Sequence, residues 1–488
     1  MDASATAAGT TTATGAVEVQ LRLRRDAQLE RTADGRLVLV EGHVRMPLPP
    51  LGAGVAAAVE LIGAGGGPDG GAGSSEDDLL GVALAADGHE GILRLQMLLG
   101  RLQTGGWLEK AVVHGGAPVA TLRPVGHVLA AATRVLRADQ PVQLSRFALL
   151  RAEGGEARLE TPLAALDVTL HDPRLGAAVA ALARPLAPAD VEVPGIPAEV
   201  VYAVLQLLLD ASLLALPGQE DRRELAQWAF ADLLFHARSR VGRNLGGYGG
   251  TFHQEGRFDA LPGVKPHDGE PAVRLPRPDL AAVAAADPPL TTALEERRSI
   301  REHDDARPLT AAQLGEFLWR TARLRRAFRD QREELSNRPY PAGGAIYEIE
   351  LYPLVQNVAG VEPGLYHYDP EGHALHLVAA PGPKLQLLLE YAKRTGNMQA
   401  YPQVTLLLAA RFGRVMWKYE SMAYALVLKH VGVLYQTMYL VATAMGLAPC
   451  ALGGGNSDAF AIASDIDYYA ETTVGEFLLG SAPSTKES

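Results

Sequence analysis

The sequence contains a single cysteine, Cys450, among 488 residues. One thiol excludes an internal disulfide framework and any zinc or iron–sulfur centre built from several cysteines. The thirteen histidines follow no metal-ligand spacing, so we expect no metal site. Cys450 is expected to be a small core residue and not a nucleophile, because no base can be assigned to it.

Basic charge is also scarce, since 45 Lys and Arg against 56 Asp and Glu give a net charge of -11. Binding of nucleic-acid phosphates needs clustered basic residues, so nucleic acid is not expected as a partner. The chain has no run of eighteen apolar residues without a charge, and residues 1–16 lack the basic start and apolar core of a signal peptide. We therefore expect a cytoplasmic protein with no membrane span and a disordered tail over residues 1–16.

Two common nucleotide-binding patterns are missing as well. There is neither a Gly-x-Gly-x-x-Gly run after a strand nor a Walker pattern, so a tightly held dinucleotide or nucleoside triphosphate is not indicated. Hydrophobic residues make up 48% of the chain and charged residues 21%, which is ordinary for a globular protein. The length predicts about three domains.

The front half contains a faint internal repeat. The run Pro50 to Ala57 recurs as Arg174 to Ala181, and each copy follows alternating apolar and polar residues that predict a strand hairpin. Each copy also precedes a predicted helix, Ile92 to Trp107 and Val200 to Leu213. We interpret residues 17–125 and 126–220 as two small winged-helix-like modules. The alternative is chance similarity between two alanine-rich helices.

Residues 221–289 are predicted to be a helix followed by a linker. An amphipathic helix is expected over 221–240, and 242–289 is rich in glycine and proline without sustained periodicity. The last predicted domain, 290–484, mixes helices and strands and so belongs to the α+β class. Its predicted elements are a helix over 291–298, a helix that begins with a capping box at Thr310, strands over 347–355 and 404–409, and a long apolar helix over 424–445.

Four short motifs in this domain have residue types suited to chemistry. Arg297, Ser299 and Arg301 sit at i, i+2 and i+4, so at a helix end their side chains would share a face, and paired guanidiniums suit a phosphate group. Adjacent glycines let backbone amides approach a flat ring. A buried Lys beside a Tyr is a candidate proton-transfer pair. The motifs are Arg297-Arg298-Ser299-Ile300-Arg301, Pro341-Ala342-Gly343-Gly344, Lys418-Tyr419 and Gly453-Gly454-Gly455.

The order of these motifs resembles the nitroreductase fold, and in particular its azoline-oxidising branch, the SagB-type dehydrogenases of ribosomal peptide biosynthesis. The resemblance implies an FMN cofactor whose phosphate is held by Arg297, Ser299 and Arg301, with help from Arg298. It also implies that Pro341, Ala342, Gly343, Gly344, Gly453 and Gly454 lie beside the flavin ring, that Gln436 faces a dimer cleft, and that Lys418 and Tyr419 carry proton transfer. One departure from the family is that Glu420-Ser421-Met422 follows the Lys-Tyr pair where relatives often have Gly-x-Arg. Another is that only Lys486 follows the last strand.

The resemblance therefore implies a homodimeric, FMN-dependent enzyme that oxidises azolines to azoles in a precursor peptide made by a cyclodehydratase. The front modules would then bind the leader of that peptide. Two other functions fit the same residues less well. One is an FMN-dependent oxidoreductase that acts on a carrier-bound thiazoline or reduces a small acceptor with NAD(P)H, and the other is a nonenzymatic peptide-binding scaffold.

Overall fold

The computed structural model describes residues 17–42, 44–65, 73–126, 134–244, 246–267 and 269–483. The predicted tail over residues 1–16, Lys486 and most of the glycine-rich run over residues 63–75 lie outside these ranges. The chain divides into two compact units, residues 1–245 and 246–488. The division falls inside the region predicted to be a helix and linker.

Unit 1 contains a seven-stranded sheet in the order β5-β1-β6-β7-β11-β10-β9, a three-stranded sheet β2-β3-β4 and a short β8-β12 pair. The strands are β1 (Glu18–Leu23), β2 (Gln28–Arg31), β3 (Leu37–Glu41), β4 (Val44–Pro47), β5 (Ser74–Ser75), β6 (Leu108–His114), β7 (Ala117–Pro124), β8 (Gln143–Leu144), β9 (Leu149–Glu153), β10 (Glu156–Glu160), β11 (Leu166–Leu170) and β12 (Leu214–Ala215). The helices are α1 (Ala53–Ala64), α2 (Glu76–Thr104, interrupted at Gly88), α3 (Leu175–Ala181), α4 (Ala198–Asp210), α5 (Arg223–Ala226) and α6 (Phe230–Arg238).

The repeated sequence corresponds to α1 and α3, and each of these helices follows a run of strands and precedes a longer helix. The predicted hairpin of the second copy is confirmed, since β9 pairs with β10. That of the first copy is wrong, because β1 pairs with β5 and β6 while β3 pairs with β2 and β4. Pairing of β7 with β11 makes one sheet of strands from both predicted modules, and the winged-helix interpretation stays a prediction.

The helix predicted over 221–240 is wrong in its continuity. The structure has α5 and α6 with a break at residues 227–229. The guanidinium of Arg146 donates to the carbonyls of Leu225 and Trp228, so carbonyls at the break are satisfied without a continuous helix. The buried residues of α6 are Leu233 and Ala237. The spacing in the sequence had instead predicted a buried face made of Leu225, Trp228, Ala229, Asp232 and Phe235.

Unit 2 is built on a seven-stranded antiparallel sheet in the order β14-β21-β20-β18-β22-β25-β24, with three short two-stranded pairs, β13-β23, β15-β19 and β16-β17. Its strands are β13 (Gly249–Gly250), β14 (Val273–Arg274), β15 (Leu309–Thr310), β16 (Arg326–Arg329), β17 (Glu334–Asn337), β18 (Ile349–Val355), β19 (Val358–Ala359), β20 (Gly364–Asp369), β21 (Ala374–Ala379), β22 (Val404–Arg411), β23 (Tyr419–Glu420), β24 (Leu447–Leu452) and β25 (Glu471–Ser481). Its helices are α7 (Leu280–Ala286), α8 (Leu290–Glu296), α9 (Ala311–Ala322), α10 (Pro383–Thr395), α11 (Phe412–Met416), α12 (Ala423–Ala444) and α13 (Ser457–Ser464).

Helices cover this sheet on both faces, which explains the unbroken apolar run of β22. Leu406 and Leu408 face the core that contains α9 and α12, whereas Leu407 and Ala409 face the core of α10 and α13. Burial of a leucine side chain contributes roughly 1.5–3 kcal/mol, so both faces contribute to stability. The predicted strands β18 and β22, the long helix α12 and the capping box at Thr310 are confirmed.

By length and composition α12 is the one helix among the described residues that is apolar enough to cross a membrane. Of the 18-residue window of α12 with the highest hydropathy, 33% is buried within the protein. Its buried side pairs with α9 in the core of unit 2, so α12 is a core helix with an uncovered side.

Candidate active site

Lys418 lies between α11 and β23 with its ammonium group enclosed. Its Nζ donates a hydrogen bond of 2.9 Å to Oε1 of Glu333, and the two side chains are 14% and 1% exposed. The same nitrogen is 5.4 Å from the ring centre of Phe252 and 5.6 Å from that of Tyr419. The lysine is therefore a partly desolvated, ion-paired group beside two aromatic rings, and not a side chain that extends into solvent.

Glu333 was not found by sequence reasoning. It ends the turn between β16 and β17, where Oδ1 of Asp330 accepts hydrogen bonds from the backbone N–H groups of Arg332 and Glu333. Its Oε2 is buried and has no hydrogen-bond partner among the described residues. A buried carboxylate oxygen without a donor is unusual and calls for an explanation. No local pattern signals this residue, because its partner Lys418 is 85 positions away.

The predicted glycine loop contacts the Lys-Tyr pair directly. A Cβ atom placed on Gly344 would lie 2.3 Å from the hydroxyl oxygen of Tyr419 and 3.3 Å from Nζ of Lys418. The φ angle of Gly344 is +64°, in the left-handed region that favours glycine. Residues Pro341, Ala342 and Gly344 are partly or fully exposed at this loop. The structure thus brings together two of the four motifs.

Gly343 has a different contact. Its backbone N–H donates to Nε2 of His430 at 2.6 Å, and Nδ1 of His430 is 2.8 Å from Oε1 of Glu348. Since a carboxylate can only accept and Nε2 already accepts, the hydrogen of this imidazole is on Nδ1 and the ring is neutral. Both side chains are buried. The Gly343 amide is therefore occupied within the protein, and His430 fixes the loop to α12.

Arg414 in α11 holds three backbone segments around the lysine. Its guanidinium donates to the carbonyls of Leu261, Glu334 and Ile346 at 2.7, 2.8 and 2.9 Å. Burial lowers the pKa of this arginine, and nearby Arg411 adds to that effect. Because the carbonyls belong to segments far apart in the sequence, this buried cation fixes the β16-β17 hairpin and the glycine loop relative to α11.

Residues 246–267, here called the flanking segment, were predicted to be linker but pack beside the Lys-Tyr pair. Strand β13 of this segment pairs with β23, and the N–H of Phe252 donates to the carbonyl of Lys418 at 3.0 Å. The carboxylate of Glu420 accepts from Gly247 N–H and Thr251 Oγ1, each at 2.9 Å. Glu420 is the residue that departs from the family pattern, so the departure holds the flanking segment in place.

The segment with the predicted phosphate-binding arginines is not helical. Helix α8 ends at Glu296 and residues 297–301 have no regular secondary structure, whereas the prediction had a helix through Arg298. The N–H of Ile300 donates to the carbonyl of Pro449, which ties the segment to β24. The hydroxyl of Ser299 is 2.7 Å from that of Tyr439, and the guanidinium of Arg297 is 5.2 Å from the ring centre of Tyr439.

Arg297, Arg298 and Arg301 have no ion pair with any residue that the structure describes. Arg298 and Arg301 are exposed and Arg297 is half-buried. Glu295 and Glu296, the nearest carboxylates in the sequence, form no ion pair with them among the described residues. Three cations within five residues and without a carboxylate partner suit an anion such as a phosphate group.

Helix α12 carries residues that contact most of these pieces. His430 binds Gly343, Tyr435 accepts from the backbone N–H of Glu476 at 2.7 Å, and Tyr439 contacts both Ser299 and the N–H of Ala451. With a rise of 1.5 Å per residue, His430 and Tyr439 are about 13 Å apart along the helix axis. The glycine loop and the arginine segment thus contact the same helix about two and a half turns apart.

The remaining predicted residues are at the surface. Gly453 and Gly454 follow β24, are exposed, and face open space where a Cβ would be. At Gly455 a Cβ would collide with the carboxylate of Glu476. Gln436 is on the exposed side of α12. Asn456 caps α13 through its side-chain oxygen, which accepts from Ala459 N–H at 2.8 Å.

Two protein-family models match this chain. The cyanobactin oxidase ThcOx model matches residues 142–245, and the nitroreductase family model matches residues 294–480. The first match covers the second half of unit 1, and the second covers the sheet and helices that hold the candidate site. The two models therefore describe different parts of the chain.

Three curated proteins are similar to parts of the sequence. A predicted nitroreductase of Methanocaldococcus jannaschii is 31% identical over 164 residues, which is 34% of this chain and 78% of that protein. The microcin B17-processing protein McbC of Escherichia coli is 32% identical over 114 residues, 22% of this chain and 42% of McbC. The trifolitoxin-processing protein TfxB of Rhizobium leguminosarum is 30% identical over 110 residues, 22% of this chain and 30% of TfxB. The chain thus spans less than half of McbC and of TfxB.

Proposed function

The chain belongs to the nitroreductase family, and from this premise we propose that it is an FMN-dependent dehydrogenase that oxidises azoline rings to azoles in a ribosomally made peptide. Similarity to the microcin-processing and trifolitoxin-processing proteins and to the cyanobactin oxidase model supports this substrate class. The single observation that carries the proposal is the placement of Lys418 and Tyr419 on the Gly344 backbone, with a buried carboxylate behind the lysine.

FMN fits the residues that the structure leaves free. The cations of Arg297, Arg298 and Arg301, which have no ion pair with a described residue, suit the phosphate together with the Ser299 hydroxyl. The open backbone at Gly453 and Gly454, and the exposed backbone of Gly344 beside Tyr419, suit a flat ring. FMN, when bound, supplies the acceptor for the hydride that leaves the azoline. We assign no ring contact to the Gly343 N–H, because His430 already accepts it.

The proton chemistry is assigned to side chains of the chain itself. Formation of the azole removes a proton from the ring carbon next to the carbonyl. Lys418 takes this proton as general base, after its ammonium group has released its own proton to solvent. Glu333 then stabilises the resulting ammonium through the 2.9 Å hydrogen bond and holds Nζ in position. Tyr419, whose hydroxyl lies against Gly344, orients Lys418. Glu333 is thus a positioning residue, and Lys418 is the catalytic one.

The exposed side of α12 supports a homodimer. Tyr424 and Leu428 are 41% and 39% exposed on this helix, and Leu290 and Leu294 of the neighbouring α8 are 66% and 46% exposed. Exposed apolar side chains on adjoining helices are typical of a surface that another subunit covers. Gln436 is on the same exposed side of α12. We propose that a second copy of the chain covers this surface.

The precursor peptide is proposed to bind unit 1 by adding a strand. Among the described residues, the seven-stranded sheet of unit 1 ends in β9 at one edge and in β5 at the other. Strand β5 has only two residues, so β9 is the edge strand long enough to pair with a peptide. Leu150 in β9 is 56% exposed. An exposed edge binds an extended peptide through backbone hydrogen bonds. A cyclodehydratase that forms the azoline is the expected second partner.

The test of the proposal uses the full-length protein, free FMN and a leader-bearing azoline peptide. We expect a yellow protein, and a peptide product lighter by two hydrogen atoms that forms without NAD(P)H, up to one product per FMN when dioxygen is excluded. The competing function, reduction of a small acceptor, predicts NAD(P)H oxidation with a nitroaromatic or quinone and no change in the peptide. A protein that binds no FMN, or that shows only the NAD(P)H reaction, contradicts the proposal.

The peptide-binding step is tested separately by amide hydrogen exchange. We expect the unmodified leader to slow exchange in β9, while β4, the edge of the three-stranded sheet, serves as the matched control. Equal exchange in β9 with and without leader contradicts strand addition at this edge. Because this measurement needs no turnover, it stays informative even if the substrate is wrongly assigned.

A further inference from the structure

A second cluster of ionisable side chains lies away from Lys418, where the flanking segment crosses β20 and β21. His267 stacks on His376, with ring centres 3.9 Å apart and an angle of 10° between the ring planes. Nε2 of His376 is 3.9 Å from a carboxylate oxygen of Asp369. His267, Asp369 and His376 are half-buried, and one ligand atom from each lies within 4.8 Å of the others. The spacing of histidines in the sequence predicted no such cluster.

A hydrogen-bond chain joins this cluster to a buried carboxylate. Nε2 of His367 is 3.2 Å from a carboxylate oxygen of Glu350, and its Nδ1 is 3.1 Å from Nε2 of His267. When His367 is neutral, its hydrogen is on Nε2, because the carboxylate only accepts, and its Nδ1 accepts from His267. In that tautomer Nδ1 of His267 has a free lone pair. A histidine whose other ring nitrogen donates along a chain to a carboxylate is the usual outer arrangement of a metal ligand.

We propose that His267, Asp369 and His376 bind one divalent transition-metal ion, with Zn²⁺ as the best match. Two imidazole nitrogens and one carboxylate oxygen form a ligand set that suits zinc, cobalt and nickel, and partial exposure leaves room for water as a fourth ligand. Ligand atoms around tetrahedral zinc are roughly 3.3 Å apart for bonds of about 2.0–2.1 Å, so the cluster contracts slightly on binding. The stacked rings also rotate apart, because the ion lies in the plane of each ring.

Such an ion would join the flanking segment to the sheet of unit 2. His267 is at the end of that segment, whose residues Leu261 and Pro262 give their carbonyls to Arg414 and Arg411, and whose Phe252 is beside Lys418. Asp369 and His376 belong to β20 and β21. The inferred role is structural, a cross-link that restrains the segment next to Lys418, and it does not depend on the proposed reaction.

The experiment uses tag-free, full-length protein treated with a chelator and dialysed. Co²⁺ is added first, because a protein-bound tetrahedral ion gives visible absorption, and Zn²⁺ affinity is then measured by competition with a chelating dye. We expect one equivalent per chain. The variants His376→Gln and Asp369→Asn should weaken Zn²⁺ binding more than a hundredfold, and His367→Gln, which acts through His267, about 10–100-fold. The exposed His253 supplies the matched control, since His253→Gln should bind as the unaltered protein does.

Thermal unfolding provides a second readout that covers the case of a poorly folded variant. Zn²⁺ should raise the melting temperature of the unaltered protein and of His253→Gln, but not that of His376→Gln, because a ligand that binds only the folded state stabilises it. The proposal is overturned if the unaltered protein binds no Zn²⁺ at about 100 μM. It is also overturned if His376→Gln and Asp369→Asn bind one equivalent as tightly as the unaltered protein.

Discussion

The Lys418 site and the Arg297–Arg301 segment both concentrate charge, but they do so in opposite ways. At the first, a buried carboxylate already neutralises the ammonium, and two aromatic rings limit access of water. At the second, three guanidiniums have no carboxylate partner among the described residues, and two of them are exposed. A charge pair completed within the protein suits proton transfer, whereas unpaired cations suit an anion from outside. Under the proposed function, Lys418 would therefore serve the chemistry and the arginines would serve cofactor affinity.

The largest expected effect is on turnover at Lys418. Removal of a general base commonly costs about 10² to 10⁴ in rate, so Lys418→Ala should lose most azole formation. The flavin absorbance spectrum and FMN affinity should stay unchanged, because the arginine segment is intact. Product is measured by peptide mass.

Lys418→Arg is the matched control for that variant. It keeps the positive charge beside Glu333 but cannot lose a proton near neutral pH. If the charge alone were sufficient, Lys418→Arg would restore turnover, and the assignment of Lys418 as base would be wrong. Loss of turnover in both variants, with FMN retained, is the outcome that supports it.

The second effect is on cofactor affinity. Each charge-assisted hydrogen bond to phosphate contributes roughly 1.5–3 kcal/mol, so Arg297→Ala and Arg301→Ala should each weaken FMN binding about tenfold or more in a fluorescence titration. At saturating FMN the double variant Arg297→Ala/Arg301→Ala should turn over as the unaltered enzyme does. As a control, Arg307→Ala removes an arginine six residues further on and should leave the affinity unchanged. Equal affinity in all of these variants would place the phosphate elsewhere.

Features with a strong local pattern were predictable from sequence, and features made by distant contacts were not. The strand β22, the length of α12 and the capping box at Thr310 each depend on neighbouring residues, and each prediction is confirmed, although β22 is buried on both faces and not on alternate residues. The pairing of Glu333 with Lys418 depends on tertiary structure. So does the break between α5 and α6, where Arg146 satisfies the free carbonyls.

The third prediction tests the contact between the glycine loop and the Lys-Tyr pair. A methyl group on Gly344 would overlap the Tyr419 hydroxyl, so Gly344→Ala should lower turnover about tenfold as the tyrosine or the loop shifts. Tyr419→Phe removes the overlapping oxygen and by itself should cost less than Lys418→Ala. In the double variant Gly344→Ala/Tyr419→Phe, the alanine substitution should lower turnover less than it does in the unaltered enzyme, because the overlap with the hydroxyl is relieved. Strictly additive losses would show that the two groups do not touch during the reaction.

The smallest expected effect is a loss of turnover on changing Glu333 to Gln. The amide keeps the shape and accepts a hydrogen bond from Lys418, but it removes the negative charge that stabilises the ammonium formed when Lys418 takes the proton. Turnover at saturating peptide should therefore fall by less than about tenfold, because the weaker counter-charge lowers the driving force for proton abstraction. FMN affinity should stay unchanged, since the arginine segment is intact. The neighbouring Glu334→Gln is the control, since its side chain is half-exposed at 46% and makes no ion pair with Lys418. Turnover in Glu333→Gln equal to that of the unaltered enzyme would mean that this carboxylate is a folding element, and that the charge pair at Lys418 has no part in proton transfer.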